Sequence, residues 1–178
     1  MRFIIKLAGL LSFLSILIFF TACGRSDSGK SIQNSSKYKE PLIKANQEAA
    51  KTENMQIDDY ISRHHLDMET SNTGIRFLIT KNGIGPKAMP GKTVKLSYTV
   101  TFLTGDTVYT ALKDGPLVFE VGKGQVITGL EEAILLLRVG DQAKIIIPSH
   151  LAFGLIGDQK KILHKATLVY DMEFISMY

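Results

Sequence analysis

Apolar and polar residues alternate in several segments that follow Gly74, and this period of two is the pattern of β-strands with one buried face. The clearest segment is VKLSYTVTF, in which every second residue from Val94 to Phe102 is apolar or aromatic and the others are Lys, Ser or Thr. Four more segments are predicted to be strands: GIRFLIT, PLVFEVG, QAKIIIP and TLVYDMEFISM. Glycine-containing turns separate them, at NGIGPKAMPG, LTGD and RVGD. The pattern predicts a curved antiparallel sheet.

One segment in this region has the spacing of a helix instead. Leucine, alanine and isoleucine recur at i, i+3, i+4 and i+7 between residues 130 and 137, which predicts one apolar stripe. Thr128 and Glu131 have the spacing of a capping box that would begin the helix, and Gly140 is placed to end it. One short helix packed on an antiparallel sheet is an α+β fold.

A second helix is predicted before the sheet, within a helical extension over residues 42–72. Good helix formers dominate residues 45–65, and four residues from Ile57 to His64 fall on one face at i, i+3, i+4 and i+7. His64 and His65 could suggest a metal site, but adjacent residues on a helix point in different directions and are poorly placed to bind one ion together. A histidine-bearing helix end is therefore favoured.

The first 22 residues have the layout of a secretory signal, which we assign to residues 1–22. Arg2 and Lys6 precede an uncharged apolar run, and small residues follow it. A retained membrane anchor is the alternative. Cys23, the only cysteine, stands in FTAC, which resembles the lipobox of bacterial lipoproteins. The resemblance implies acylation of Cys23, and more than one acyl chain would hold the protein on a membrane.

A tether is predicted to follow the signal, over residues 23–41. This segment is rich in Ser, Gly, Asn and Lys and nearly free of bulky apolar residues, so it cannot bury enough surface to offset its ordering entropy. Removal of Arg2 and Lys6 with the signal lowers the net charge from +4 to +2. Such a mild and mixed balance argues against nucleic acid as a partner.

The sequence carries none of the familiar catalytic or phosphate-binding motifs. There is no Gly-x-Ser-x-Gly elbow, no GxxxxGK[ST] loop and no set of His and Cys with metal-ligand spacing. His150 and His164 stand on predicted loops without a nucleophile, and we expect both to be exposed. No metal and no cofactor are expected.

Three motifs, in order, resemble the FKBP-type peptidyl-prolyl isomerases. They are G-K-x-x-V-I-x-G-x-E-E, VG-x-x-AK and A-F-G, within a match over about residues 83–178, and we assign residues 73–178 to this domain. The resemblance implies a half-barrel of antiparallel strands around one helix, with an apolar pocket between helix and sheet. The activity that it implies is rotation about X–Pro bonds.

The resemblance also assigns roles to individual residues. Four take the catalytic positions: Tyr98, Ile127, Phe153 and Tyr170. Seven take substrate-binding positions: Val108, Tyr109, Leu117, Phe119, Val126, Leu130 and Ile162. The backbone N–H of Ile127 would meet the carbonyl of the bound peptide. Plain core packing is the alternative for each, because aliphatic and aromatic residues in alternating strands are usually core.

Several positions depart from the family pattern. Val108 and Tyr109 stand where the family has an aromatic–acid pair, so no carboxylate is expected in the pocket. Leu130 replaces the tryptophan floor, Phe153 lacks a tyrosine hydroxyl, and the loop LIGDQKKILHK lacks the family's prolines. Two functions remain open: a weak prolyl isomerase that assists the folding of exported proteins, and a non-catalytic binding or chaperone module of an envelope apparatus.

The layout of signal, tether, helix and C-terminal domain is similar to that of the gliding-motility-associated isomerase lipoproteins. The expected partners are proline-containing polypeptide clients and a membrane, reached through the acyl anchor on Cys23. The expected location is the cell envelope, lipid-anchored and facing the periplasm, with the outer membrane as the leading site. The sequence gives no oligomeric state.

Overall fold

The computed structural model describes residues 30–178, so the predicted signal, Cys23 and the start of the tether lie outside the described residues. The chain divides into two units, and the larger, Gln47–Tyr178, contains the whole sheet. The described part of the first unit is helical. Across the described residues, no helix combines the length and the apolar character that crossing a bilayer requires.

Helix α1 spans Lys30–Arg63, which corrects the predicted tether. The tether was expected to reach residue 41 and the helical extension to begin at residue 42, but the backbone is helical from Lys30. Lys, Gln, Glu and Ala favour helix, and once packed residues have formed a helix each added residue extends it at low cost. The predicted helix end near His65 is confirmed, because that residue has a φ of 51° and ends the helical path.

Within residues 30–178, seven strands form one sheet in which every neighbouring pair is antiparallel, as the α+β prediction requires. Their bounds are β1 Glu69–Thr70, β2 Arg76–Lys81, β3 Thr93–Phe102, β4 Thr107–Thr110, β5 Leu117–Glu120, β6 Gln142–Ile147 and β7 Leu168–Met177. The order is β1-β2-β6-β7-β3-β4, and β5 pairs with the first half of β3 on the edge where β4 pairs with its second half. The five predicted strands are confirmed. Strand β1 was missed because it has only two residues, and β4 was missed because its sequence, TVYT, does not alternate between apolar and polar residues.

Two short helices accompany the sheet. The unpredicted α2, Ala111–Asp114, is capped by Thr110, whose side chain accepts the N–H of Lys113. The predicted helix is α3, Thr128–Ile134, and it buries the expected stripe in the core. The capping-box prediction was wrong, because Ile127 is the N-cap and makes no side-chain cap. Gly140 was also wrongly expected to end α3, which stops at Ile134.

The outer face of the sheet is covered where β6 and β7 cross α1. Ile146 and Val169 are fully buried there, in a cluster with Ile57 and Tyr60 of the helix. This second layer explains why three consecutive isoleucines of β6, residues 145–147, have no exposed member. The sequence pattern predicted one buried face, and the structure has a second where the helix packs.

A carboxylate joins α1 to the loops beyond the sheet. Glu53 accepts the backbone N–H of Ser149 at 2.6 Å, the Ser149 hydroxyl at 3.0 Å and the Thr167 hydroxyl at 2.5 Å. Ser149 opens the short 3-10 helix Ser149–Leu151, and Thr167 immediately precedes β7. Glu53 therefore fixes both ends of the loop that runs from β6 to β7.

We expect Glu53→Gln to lower the free energy of unfolding by about 1–3 kcal/mol, because an amide has one acceptor oxygen where the carboxylate has two, and the hydrogen bonds that remain are to a neutral group. Urea unfolding measures the change. Glu48→Gln, on an exposed turn of the same helix, is the matched control and should leave stability within about 0.5 kcal/mol. Equal effects of the two substitutions would contradict the anchoring role of Glu53.

Candidate functional site

A cavity of about 370 Å³ lies between α3 and the sheet. It brings together nine of the residues predicted for the site: Tyr98, Tyr109, Leu117, Val126, Ile127, Leu130, Phe153, Ile162 and Tyr170. Three residues that sequence reasoning did not select complete the lining: Val100, Gly124 and Gln125. Val100 belongs to the alternating face of β3, so its periodicity could have indicated this position. Gly124 and Gln125 come from the loop before α3, which carries no such pattern.

Two predicted site residues do not line the cavity. Val108 and Phe119 lie in the hydrophobic core, 7% and 2% exposed. Tyr109, and not Val108, stands opposite Val100 across the β3–β4 pair, so the tyrosine reaches the cavity. Phe119 stands opposite Val94, at the far end of β3 from the cavity. Both residues support the walls from behind.

The loop before α3 is held by Glu131 of the helix. Its carboxylate accepts the backbone N–H groups of Gly122, at 3.2 Å, and Gly124, at 2.8 Å. This is the contact that replaces the expected capping box. The carboxylate lies in the first turn of α3, where the helix dipole also favours negative charge. Glu131 thereby fixes the loop that presents Val126 and Ile127.

The backbone of Ile127 offers one donor at the cavity. Its carbonyl accepts the N–H groups of Leu130 and Glu131, at 3.0 and 3.2 Å. Its own N–H makes no hydrogen bond to any group within the described residues. A fixed N–H beside an apolar cavity can bind a carbonyl oxygen of a ligand, because an unpaired amide gains a full hydrogen bond there.

Two tyrosines add hydroxyl groups to the cavity wall. Burial raises the pKa of Tyr170 strongly, and burial together with the charge of Asp114 raises the pKa of Tyr98. Both phenols are therefore neutral near pH 7 and remain able to donate hydrogen bonds. Phe153 contributes only its ring.

An unexpected carboxylate reaches the edge of the cavity. Asp158, in the loop between β6 and β7, accepts the hydroxyl of Tyr109. Burial alone would raise the pKa of Asp158, but the Tyr109 hydroxyl and three backbone N–H groups outweigh it and lower that pKa to about 2. The same hydrogen bond, with burial, raises the pKa of Tyr109 to about 12. Strand β4 carries no acidic residue, and the carboxylate beside Tyr109 comes from the loop between β6 and β7.

The sequence signal for Asp158 was weak. GDQKK has the composition of an Asp-capped turn, and the carboxylate does accept the N–H groups that follow it. That local pattern does not predict the hydrogen bond to Tyr109, which lies almost fifty residues away in the chain. A contact between loop and strand is visible only once the sheet is built.

Lys161 makes a second contact between this loop and β4. Its ammonium nitrogen lies 4.5 Å from the centre of the Tyr109 ring and donates to the carbonyl of Val108 at 3.2 Å. Three large apolar side chains of the same loop are exposed: Leu155, Ile156 and Leu163. The loop therefore carries an apolar outer surface beside a polar attachment to β4.

Other candidate groups lie away from the cavity. His150 and His164 are exposed, as expected. His64 stacks on Tyr60 with ring centroids 4.0 Å apart, and its Nδ1 lies 2.8 Å from the Tyr60 carbonyl oxygen. Among residues 30–178, no three His, Cys, Asp or Glu are grouped so that they could hold a metal ion. The described residues that line the cavity are aliphatic or aromatic apart from Gly124 and Gln125, and the tyrosines add hydroxyl groups.

Known proteins share this domain. A model of the family FKBP-type peptidyl-prolyl cis-trans isomerase matches residues 85–175, slightly more than half of the chain. Peptidyl-prolyl cis-trans isomerase FPR2 of Saccharomyces cerevisiae is 39% identical over 93 residues, which cover 51% of this chain and 69% of the yeast protein. FK506-binding protein of Streptomyces anulatus is 37% identical over 98 residues, 53% of this chain and 79% of that protein. Peptidyl-prolyl cis-trans isomerase FKBP11 of Bos taurus is 40% identical over 87 residues, but the chain spans only 43% of its length.

Two solved structures are similar to the whole domain. The crystal structure of AtFKBP13 matches with a TM-score of 0.60 and 28% sequence identity, and the match covers 63% of this chain and 99% of the AtFKBP13 chain. The crystal structure of FkpA from Escherichia coli matches with a TM-score of 0.63 and 25% sequence identity, and the match covers 84% of this chain and 73% of the FkpA chain. Because the family model matches more than half of the chain, the chain belongs to the FKBP-type peptidyl-prolyl cis-trans isomerase family.

Proposed function

We propose that the domain is a peptidyl-prolyl cis-trans isomerase that acts on proline-containing polypeptides. The observation that supports this most strongly is the combination of an apolar cavity of about 370 Å³ with the unpaired N–H of Ile127 at its edge. The cavity suits a proline ring, and the N–H suits the carbonyl of the peptide that carries the ring.

The reaction needs little chemistry from the protein. Rotation about an X–Pro bond has a barrier of about 18–20 kcal/mol, since resonance holds the amide planar. No bond breaks and no group is transferred. A site that binds the twisted amide more tightly than the planar one lowers the barrier, and each 1.36 kcal/mol of that difference accelerates rotation about tenfold. The apolar walls also remove water that stabilises the planar amide.

The fixed N–H of Ile127 helps to hold the peptide while the bond turns. It orients the carbonyl that it binds while the cavity holds the proline ring, so that the chain on the other side of the X–Pro bond can rotate relative to the ring. The neutral hydroxyls of Tyr98 and Tyr170 can donate to other peptide carbonyls. These contacts bind backbone and ring, so they fit many sequences that contain proline.

Two replacements make the proposed catalysis slow. Phe153 has no hydroxyl to donate, and loss of one neutral hydrogen bond costs about 0.5–1.5 kcal/mol, or up to about tenfold in rate. Leu130 forms the cavity wall with an aliphatic side chain, which gives less contact area than an aromatic floor. Glu131 and Asp158 still hold the loops on two sides of the cavity.

A binding or chaperone module is the second candidate, and one observation favours it. Leu155, Ile156 and Leu163 are each about 70% exposed or more, on the loop that borders the cavity. Apolar side chains that remain exposed on one loop are typical of surfaces that bind other proteins. A chain that bound clients here without catalysis would keep affinity for proline peptides and leave refolding rates unchanged.

We further propose that the protein is a lipoprotein of the cell envelope that assists the folding of exported proteins, with gliding motility as the process it serves. The support comes from residues 1–23: a basic start, an apolar run and a lone cysteine in FTAC. Uncatalysed proline isomerisation takes tens of seconds, which is slow enough to limit the folding of exported clients.

The catalytic proposal predicts the outcome of a proline-limited refolding assay. We expect the wild-type protein to accelerate refolding and both Ile127→Asp and Tyr98→Ala to remove about 90% or more of the acceleration, because a charge or a void then replaces a cavity wall. Ile84→Asp is the matched control, since Ile84 is fully exposed outside the cavity, and it should retain the wild-type rate.

Different results would reject the proposal. A wild-type protein that leaves the refolding rate at its uncatalysed value would exclude the isomerase, and affinity for proline peptides in that same sample would support the binding module. Catalysis that survives Ile127→Asp would place the activity away from this cavity.

The lipoprotein proposal predicts a mass for the mature N-terminus. In a bacterial host that processes lipoproteins, we expect chain cleavage before Cys23 and an acyl mass on that residue. Cys23→Ser should abolish both, because serine offers no thiol for acylation. An uncleaved, unacylated wild-type protein in mass spectrometry would contradict the proposal.

A further inference from the structure

The two carboxylate oxygens of Asp158 bind different parts of the fold. Oδ1 accepts the backbone N–H groups of Lys160 and Lys161, both at 2.9 Å, and of Ile162 at 2.7 Å. The N–H of Asp158 in turn donates to the Ile162 carbonyl at 3.1 Å, which closes residues 158–162 into a ring. Oδ2 accepts the hydroxyl of Tyr109 on β4.

Both partners of this carboxylate are walls of the cavity. Tyr109 and Ile162 line it from two chain segments that are distant in sequence, and Asp158 holds one by its hydroxyl and the other by its backbone. Gly157 makes the close approach possible, since a Cβ there would lie 2.2 Å from the Ile162 carbonyl oxygen and its φ is +73°.

From this geometry we propose that Asp158 is a positioning residue of the isomerase site, which holds the loop 154–165 against β4 and so sets the distance between two cavity walls. The inference rests on the proposed isomerase function. Asp158 touches no reacting atom. It acts through Tyr109 and Ile162, whose side chains contact the bound ring.

The strength of the contact follows from its charge. A hydrogen bond from a neutral phenol to a carboxylate is about twice as strong as one between neutral groups. The pKa of Asp158 is about 2 and that of Tyr109 about 12, so the acceptor is charged and the donor protonated throughout the physiological range. Lys161 adds a cation over the Tyr109 ring, but its exposed ammonium contributes less.

A double-mutant cycle tests the proposal in the full chain. Tyr109→Phe removes only the hydroxyl and keeps the ring in the wall, whereas Asp158→Asn keeps an oxygen for the loop amides. We expect each to lower kcat/KM for a proline tetrapeptide about tenfold, mainly through KM, because the wall contacts the ring in ground and transition states alike. The double variant should have a kcat/KM no more than about twofold below that of the less active single variant, since the same charged hydrogen bond is lost in all three.

The control is Asp171→Asn, which breaks an exposed ion pair of 2.6 Å with Lys144 on the sheet and should leave kcat/KM unchanged. Circular dichroism at the assay temperature must show all variants fully folded. Independent, additive losses would overturn the inference, as would wild-type kcat/KM in both single variants. If the wild-type protein itself lacks catalysis, the proposed function fails and this inference fails with it.

Titration of Tyr109 is a second readout that needs no catalysis. Followed by NMR of its ring carbon, the wild-type phenol should titrate with a pKa of about 12, and Asp158→Asn should lower that pKa toward 10.0. Burial, the charge of Asp114 and the neighbouring Tyr98 still raise the pKa of Tyr109 in the variant. A Tyr109 pKa that is the same with and without the carboxylate would show that the contact is not formed in solution and would overturn the inference.

Discussion

The close packing of α3 on β6 is the constraint on which the cavity depends. Gly129 makes it possible, because a Cβ at that position would lie 2.3 Å from Cγ2 of Ile147, inside any permitted contact. The helix therefore lies against the sheet through its glycine, with Leu130, Ala133 and Ile134 buried in the core. The residues at the N-terminal end of α3, Ile127 among them, are then set beside β3 and β7, and the space between them is the cavity. A helix held farther from β6 would widen that space and weaken every wall contact.

Three carboxylates then fix the segments that border this space. Glu131 holds the loop before α3 through two amides, and Asp158 holds the loop between β6 and β7. Glu53 reaches that second loop from α1 and binds both of its ends, at Ser149 and Thr167. In each case the acid accepts backbone or hydroxyl donors of the segment that it holds. The cavity can keep apolar walls because polar contacts outside it hold the bordering loops in place.

The sequence predicted the sheet and its helix because their periodicities are local. Alternation along β3 identified Tyr98 and Val100 as members of one face, and the motif around Val126 and Ile127 placed the mouth of the cavity. Prediction from the sequence failed for residues whose position depends on a neighbour elsewhere in the fold. Val108 does not line the cavity because the β3–β4 register sets Tyr109 opposite Val100, and Phe119 does not line it because it stands opposite Val94, farther along β3 from the cavity. The start of α1 was missed since its early residues resemble a tether in composition, and Asp158 was missed since its partner lies on another strand.

The proposed function depends on a cavity that takes a proline ring while the N–H of Ile127 binds the adjoining carbonyl. Titration of the isotope-labelled protein with a proline-containing tetrapeptide, followed by amide NMR, tests this most directly. We expect the Ile127 amide to shift downfield as it gains a hydrogen bond, with the other large shifts confined to residues that line the cavity. A matched peptide with alanine in place of proline should cause little change. An Ile127 amide signal that does not move at saturating peptide, or equal shifts from both peptides, would contradict this binding mode.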